Sequence, residues 1–133
     1  MKFLLDTNIC IYAIRQDPQV LRRLLSQSRA DVAVSVITEG ELRTGAAKSS
    51  SAAKTLERVE NFLRPIAILE FTSGDAAVYA NIRAQLELDG TPIGPLDTLI
   101  AAQAMGRKLT LVTNNQREFG RIRRLRLDNW SDQ

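Results

Sequence analysis

Four acidic residues, Asp6, Glu41, Asp97 and Glu118, stand at positions from which an α/β fold could bring them together. Asp6 directly follows the apolar run Phe3-Leu4-Leu5, and Glu41 lies about one helical turn beyond the β-branched run Val32–Val36. Asp97 ends a loop rich in proline and glycine, and Glu118 follows Leu109–Val112 after Thr113-Asn114-Asn115. Carboxylates that face one another repel unless a cation lies between them. Oxygen donors without imidazole suit Mg²⁺, with Mn²⁺ able to substitute. Mg²⁺ takes one or two protein carboxylates and keeps several waters, so Asp6 and Asp97 are the expected ligands. Glu41 is then the residue that holds or deprotonates the attacking water. A cation so placed can activate water and neutralise a phosphodiester, a route to RNA hydrolysis that needs no histidine. Thr7, Asn8, Thr113 and Asn115 are the polar neighbours that would support these acids.

The composition excludes the main alternatives. The chain has no histidine and one cysteine, Cys10, which removes histidine bases, Ser–His–Asp triads, zinc sites and any intrachain disulfide. Each acid also has a purely structural reading. Asp6 and Asp97 could cap helices, and Glu41 could be the third-position partner in a Thr38-x-x-Glu41 capping box. Spacing alone leaves both readings open.

The elements that must position these acids alternate. Phe3–Leu5 reads as a buried strand, followed by a helix over Ile9–Ile14. Pro18 opens a second helix with Val20, Leu21, Leu24 and Leu25 on its apolar face. Val32–Val36 is a second strand, and the helix after it carries Leu42, Ala46 and Ala47. Leu56, Val59, Phe62 and Leu63 recur at helical spacing until Pro65. Ile66–Leu69 is a third strand, and Thr72-x-x-Asp75 opens a long helix through Val78, Tyr79, Ile82 and Leu86. A turn-rich loop over 90–95 leads to the helix of Asp97. Leu109–Val112 is a fourth strand, and Arg126-Leu127 is an edge-strand candidate. This alternation predicts one α/β domain over residues 1–133 with a mostly parallel sheet and helices on both faces. In such folds ligands gather beyond the carboxyl ends of the strands.

Length and composition fit a single soluble domain: 133 residues, 44% apolar and 25% charged. No stretch reaches a membrane span, and the reading is cytoplasmic with no membrane partner. The net charge of +3 is uneven. Between Arg107 and Arg126, seven bases stand against the single acid Glu118, which suggests a polyanionic partner and makes Arg121, Arg123 and Arg124 candidate RNA contacts. Tyr12, Tyr79 and Trp130 read as packing residues.

Four segments in order resemble the VapC family of PIN-domain toxins. They are Leu5-Asp6-Thr7-Asn8, Ser35–Leu42, Gly90–Ala102, and Leu111–Asn115 through Glu118-Phe119. The closing Leu125–Trp130 is also similar to the family's ending. The resemblance implies a PIN-like three-layer sandwich, magnesium-dependent endoribonuclease activity on RNA such as tRNA, homodimerisation, and a VapB-like antitoxin partner. By position Asp6, Glu41 and Asp97 match the family's acids, and Asp6 and Asp97 its magnesium ligands. Many PIN domains carry a fourth acid where this chain has Asn114-Asn115. Either Asn115 or Glu118 fills that place.

Two rival readings predict different behaviour. A PIN-like module without catalysis would act only through its partner. A phosphatase of the haloacid dehalogenase type would need a second acid at position 8, where this chain has Asn8.

Overall fold

The computed structural model describes residues 1–131. Strands β1 (Phe3–Leu5), β2 (Val32–Ser35), β3 (Ala67–Leu69), β4 (Thr110–Val112) and β5 (Leu127–Asp128) form one sheet in the order β3-β2-β1-β4-β5. All four pairings are parallel, so the expected mostly parallel sheet is parallel throughout among the described residues. The order reverses at β1, with β2 and β3 on one side and β4 and β5 on the other. In an open α/β sheet, that reversal opens a crevice beyond the carboxyl ends of the strands.

Successive strand residues point to opposite faces, and here the two faces bury different helices. Leu5, Val32, Val34 and Val112 pack against α1 (Thr7–Ile14), α2 (Pro18–Leu25), α3 (Val36–Ala47) and α4 (Ala52–Leu63). Leu4, Ala33 and Leu111 pack against α5 (Ser73–Leu88), α6 (Pro95–Gly106) and α7 (Gln116–Phe119). The result is three layers. Trp130 is fully buried and meets Phe3 edge-on at 5.2 Å between ring centres, a packing role as expected.

Several local expectations change. The structure begins α1 at Thr7, two residues earlier than the apolar periodicity suggests, because the Asp6 side chain caps it by accepting the Ile9 N–H at 2.9 Å. Leu25 is 80% exposed rather than part of the α2 face. It ends a two-turn helix whose buried residue is Val20. Strand β5 sits one residue later than Arg126-Leu127. The Thr38-x-x-Glu41 box does not form. Ser35 caps α3 by accepting the Ile37 N–H at 2.9 Å, which leaves Thr38 inside the helix. A complete capping box forms instead at Thr72 and Asp75, opening α5 as its residues predict. Thr72→Ala should cost about 1 kcal/mol, read as a lower midpoint in chemical denaturation.

Helices α5 and α6 run antiparallel. The start of α5 meets the end of α6 through Asp75, whose carboxylate accepts two bonds from Arg107 at 2.8 and 3.1 Å. Their other ends are joined by the loop that delivers Asp97.

Candidate active site

Asp6 occupies the centre of the crevice because it follows the central strand. Its backbone N–H donates to Val112 O at 3.0 Å, which continues the β1–β4 pairing by one residue. The carboxylate is 4% exposed. It caps α1, and the Thr113 side chain lies beside it and helps to lower its pKa. Thr113 follows β4, is fully buried, and its oxygen accepts the Asn115 N–H at 2.9 Å. A hydroxyl oxygen that accepts this bond keeps its own proton free to donate.

Burial is the main force that raises the Asp6 pKa from 3.8 to about 6, and the negative charges of Asp97 and Glu41 push the same way. Thr113 and the bond from the Ile9 N–H oppose the rise without cancelling it. Asp97, half-buried, is raised as well, first by burial and then by the charges of Glu41 and Glu118. The four acids therefore share one electrostatic neighbourhood. Among the described residues none of the four enters an ion pair with a basic side chain.

Glu41 projects from α3, whose first turn begins directly at the end of β2. Its Oε1 accepts the Thr7 hydroxyl at 2.6 Å, and the same hydroxyl lies 3.1 Å from Thr38 Oγ1. Thr38 is fully buried. It is one turn before Glu41 on the same helical face, a spacing that lets one hydroxyl meet both. With Thr7→Val, Glu41 loses a charge-assisted bond, and the kcat of any hydrolysis that uses Glu41 should fall roughly tenfold, with Thr7→Ser close to wild type.

Asp97 is not an N-cap. Gly94 occupies that position with Pro95 as the first helical residue, and Asp97 lies in the first turn of α6 without a capping bond. Its carboxylate is thus not committed to the helix backbone. Glu118 lies in the short α7 and contributes charge at Asp97. Asn115 joins through its backbone, as the donor to Thr113. Asn8 is exposed on α1. Asn114, not anticipated, donates to the Tyr12 hydroxyl at 2.8 Å. Arg121 and Arg123 are engaged by protein groups around the loop before Asp97, and Arg124 is exposed with φ 68°.

The donor set fits a hard divalent cation: carboxylate and hydroxyl oxygens, an excess of negative charge, and the Asp6 and Asp97 carboxyls held above their ordinary range by burial and by acidic neighbours. Among the described residues no three acids form a cage that closes on an ion unaided. Magnesium asks for no such cage, since one or two carboxylates and water suffice.

The PIN-domain family pattern matches residues 3–125. A "tRNA(fMet)-specific endonuclease VapC" of Shigella flexneri is 40% identical over 131 residues, spanning 98% of this chain and 99% of the relative. The chain belongs to the VapC family of PIN domains. "Ribonuclease VapC2" of Haemophilus influenzae (strain ATCC 51907 / DSM 11121 / KW20 / Rd) is 41% identical over 130 residues, spanning 98% of both chains. The fold agrees with solved members of the VapC family. DNA-bound VapBC from Salmonella typhimurium superposes with a TM-score of 0.93 at 40% identity, covering 98% of each chain. VapBC2 from Rickettsia felis, bound to a promoter DNA fragment, gives 0.90 at 37% identity, covering 98% of this chain and 99% of the other. The fold and family expected from the four ordered segments are thereby established. No helix of the described residues is long and apolar enough to cross a membrane.

Proposed function

We propose that this VapC-family chain is a magnesium-dependent endoribonuclease and the toxin of a VapBC-type pair. The observation that carries the reading is the convergence of Asp6, Glu41, Asp97 and Glu118 beyond the carboxyl ends of β1, β2 and β4, with Asp6 held up to about 6 by burial and by its acidic neighbours. Asp6 and Asp97 would hold the cation. When bound, the cation would lower the pKa of a water and neutralise charge on the scissile phosphate. Glu41, pinned through one oxygen by Thr7, keeps its other oxygen to accept the proton of the attacking water. Glu118 adds the fourth charge, and Asn115 donates its backbone N–H to Thr113 beside Asp6.

The relatives named as ribonucleases, one of them specific for tRNA(fMet), support RNA as substrate and make initiator tRNA the first candidate. Solved relatives in complex with VapB-type partners support an antitoxin. Expression of the chain in a bacterial host tests both. Growth should stop, discrete RNA ends should appear, and co-expression of the product of an adjacent VapB-like reading frame should prevent both. Growth arrest without any new RNA ends would favour a partner-binding module over an enzyme.

A further inference from the structure

We propose that Arg121 and Arg123 are positioning residues that tie the loop before Asp97 to the segment after Glu118, and that they act there rather than as contacts to RNA phosphates. The inference rests on the proposed nuclease reading, because it assigns how an acid pair of that site is held.

The loop between α5 and α6 is stiff within itself. Gly90 turns at φ 69°, the Thr91 N–H donates to Leu86 O at 2.9 Å, and Pro92 and Pro95 fix their own φ. Ile93 packs its side chain against the core, whereas Thr91, Pro92 and Gly94 are exposed. The groups that reach it come from beyond α7. Arg121 Nη1 donates to Pro92 O at 3.0 Å, and Arg123 Nη2 donates to Asp89 Oδ2 at 3.0 Å. Gln85 at the end of α5 closes the seam by donating from Nε2 to Asp89 Oδ2 at 2.8 Å and to Arg121 O at 3.3 Å.

Each side of this seam leads into the site. Asp97 lies five residues past Pro92, and Glu118 three residues before Arg121. The turn that places Arg121 is itself tight: a Cβ on Gly120 would stand 2.7 Å from Gln116 O. Like charges on Asp97 and Glu118 push their carriers apart. Hydrogen bonds across the seam oppose that separation. The charge of Arg123 is already matched by Asp89, and Arg121 spends a guanidinium N–H on a carbonyl. Both bonds are solvent-exposed, so the choice between holding the loop and meeting phosphate falls to the variants below.

The test uses the full chain with Mn²⁺ alone and with initiator tRNA as probes. Arg121→Ala and Arg123→Asp should each lower kcat about tenfold and weaken Mn²⁺ affinity measurably, through displaced acids. Affinity for uncleaved tRNA in EDTA, and its slope against salt, should stay at wild-type values. The exchanged pair, Asp89→Arg with Arg123→Asp, should recover most of the kcat lost by Arg123→Asp alone, which a phosphate contact at position 123 would not allow. Full kcat with weaker tRNA binding and a salt slope shallower by about one would overturn the proposal. So would variants unchanged in every readout, or an exchanged pair no better than Arg123→Asp. If Arg121→Ala fails to fold, the exchanged pair carries the test. If wild type cleaves no RNA, the nuclease reading fails, and the Mn²⁺ affinities of the same variants still decide the seam.

Discussion

Asp6→Asn is expected to reduce RNA cleavage by about a thousandfold or more while leaving the fold in place. The fold should survive because asparagine caps helices as well as aspartate does, and its side-chain oxygen can still accept the Ile9 N–H. The substitution keeps size and hydrogen bonding nearly constant and removes one charge at the centre of the acidic group. Single-turnover cleavage beside circular dichroism separates lost chemistry from lost structure. Wild-type cleavage by a folded Asp6→Asn protein would remove Asp6 from the site.

The same substitution should stabilise the metal-free protein near neutral pH, which is the second large effect. Asp6 in the folded state has a pKa of about 6 against 3.8 ordinarily. Below about pH 4 both folded and unfolded chains hold its proton, so Asp6 costs nothing there. As pH rises the unfolded chain releases the proton first, and stability falls until the folded pKa is passed. The interval amounts to on the order of 3 kcal/mol. Asp97 contributes with the same sign, because its pKa is also raised. Chemical denaturation in EDTA at pH 4.5 and 7.5 reads this directly. Wild type should lose stability relative to Asp6→Asn between the two, and saturating Mg²⁺ should shrink the difference at pH 7.5. A difference independent of both pH and Mg²⁺ would mean that Asp6 feels neither burial nor its acidic neighbours as described.

How legible the site was in the residues depends on what kind of signal each part emits. Apolar runs and their spacing mark the strands and most helices, and the strand–helix alternation is enough to place Asp6 and the segment around Thr113 at one edge of a parallel sheet. Helix starts were less legible. Thr38-x-x-Glu41 has the form of a capping box, but Ser35 competes for the same helix and wins because β2 ends there, leaving Thr38 to face Thr7. Asp97 looks like a cap until Gly94 and Pro95 are seen to start α6 ahead of it. The basic stretch shows the limit most clearly. Composition reveals a run of arginines, whereas their partners, Pro92 O and the Asp89 carboxylate, lie about thirty residues away in sequence and are brought near by the packing of Phe119 and Ile122 into the same core as Ile82 and Leu86 of α5. Leu25 reads as core by periodicity alone, yet a helix of eight residues, Pro18–Leu25, turns too few times to bury its last residue.

The most direct measurement is cleavage of purified initiator tRNA by the full chain as Mg²⁺ is titrated from an EDTA-treated start, with Asp6→Asn alongside. Discrete fragments that are absent in EDTA, appear with Mg²⁺ for wild type, and do not appear for Asp6→Asn at any Mg²⁺ concentration are the predicted result. Cleavage that persists in EDTA, or that Asp6→Asn performs at the wild-type rate, would contradict a cation-dependent acidic site built around Asp6.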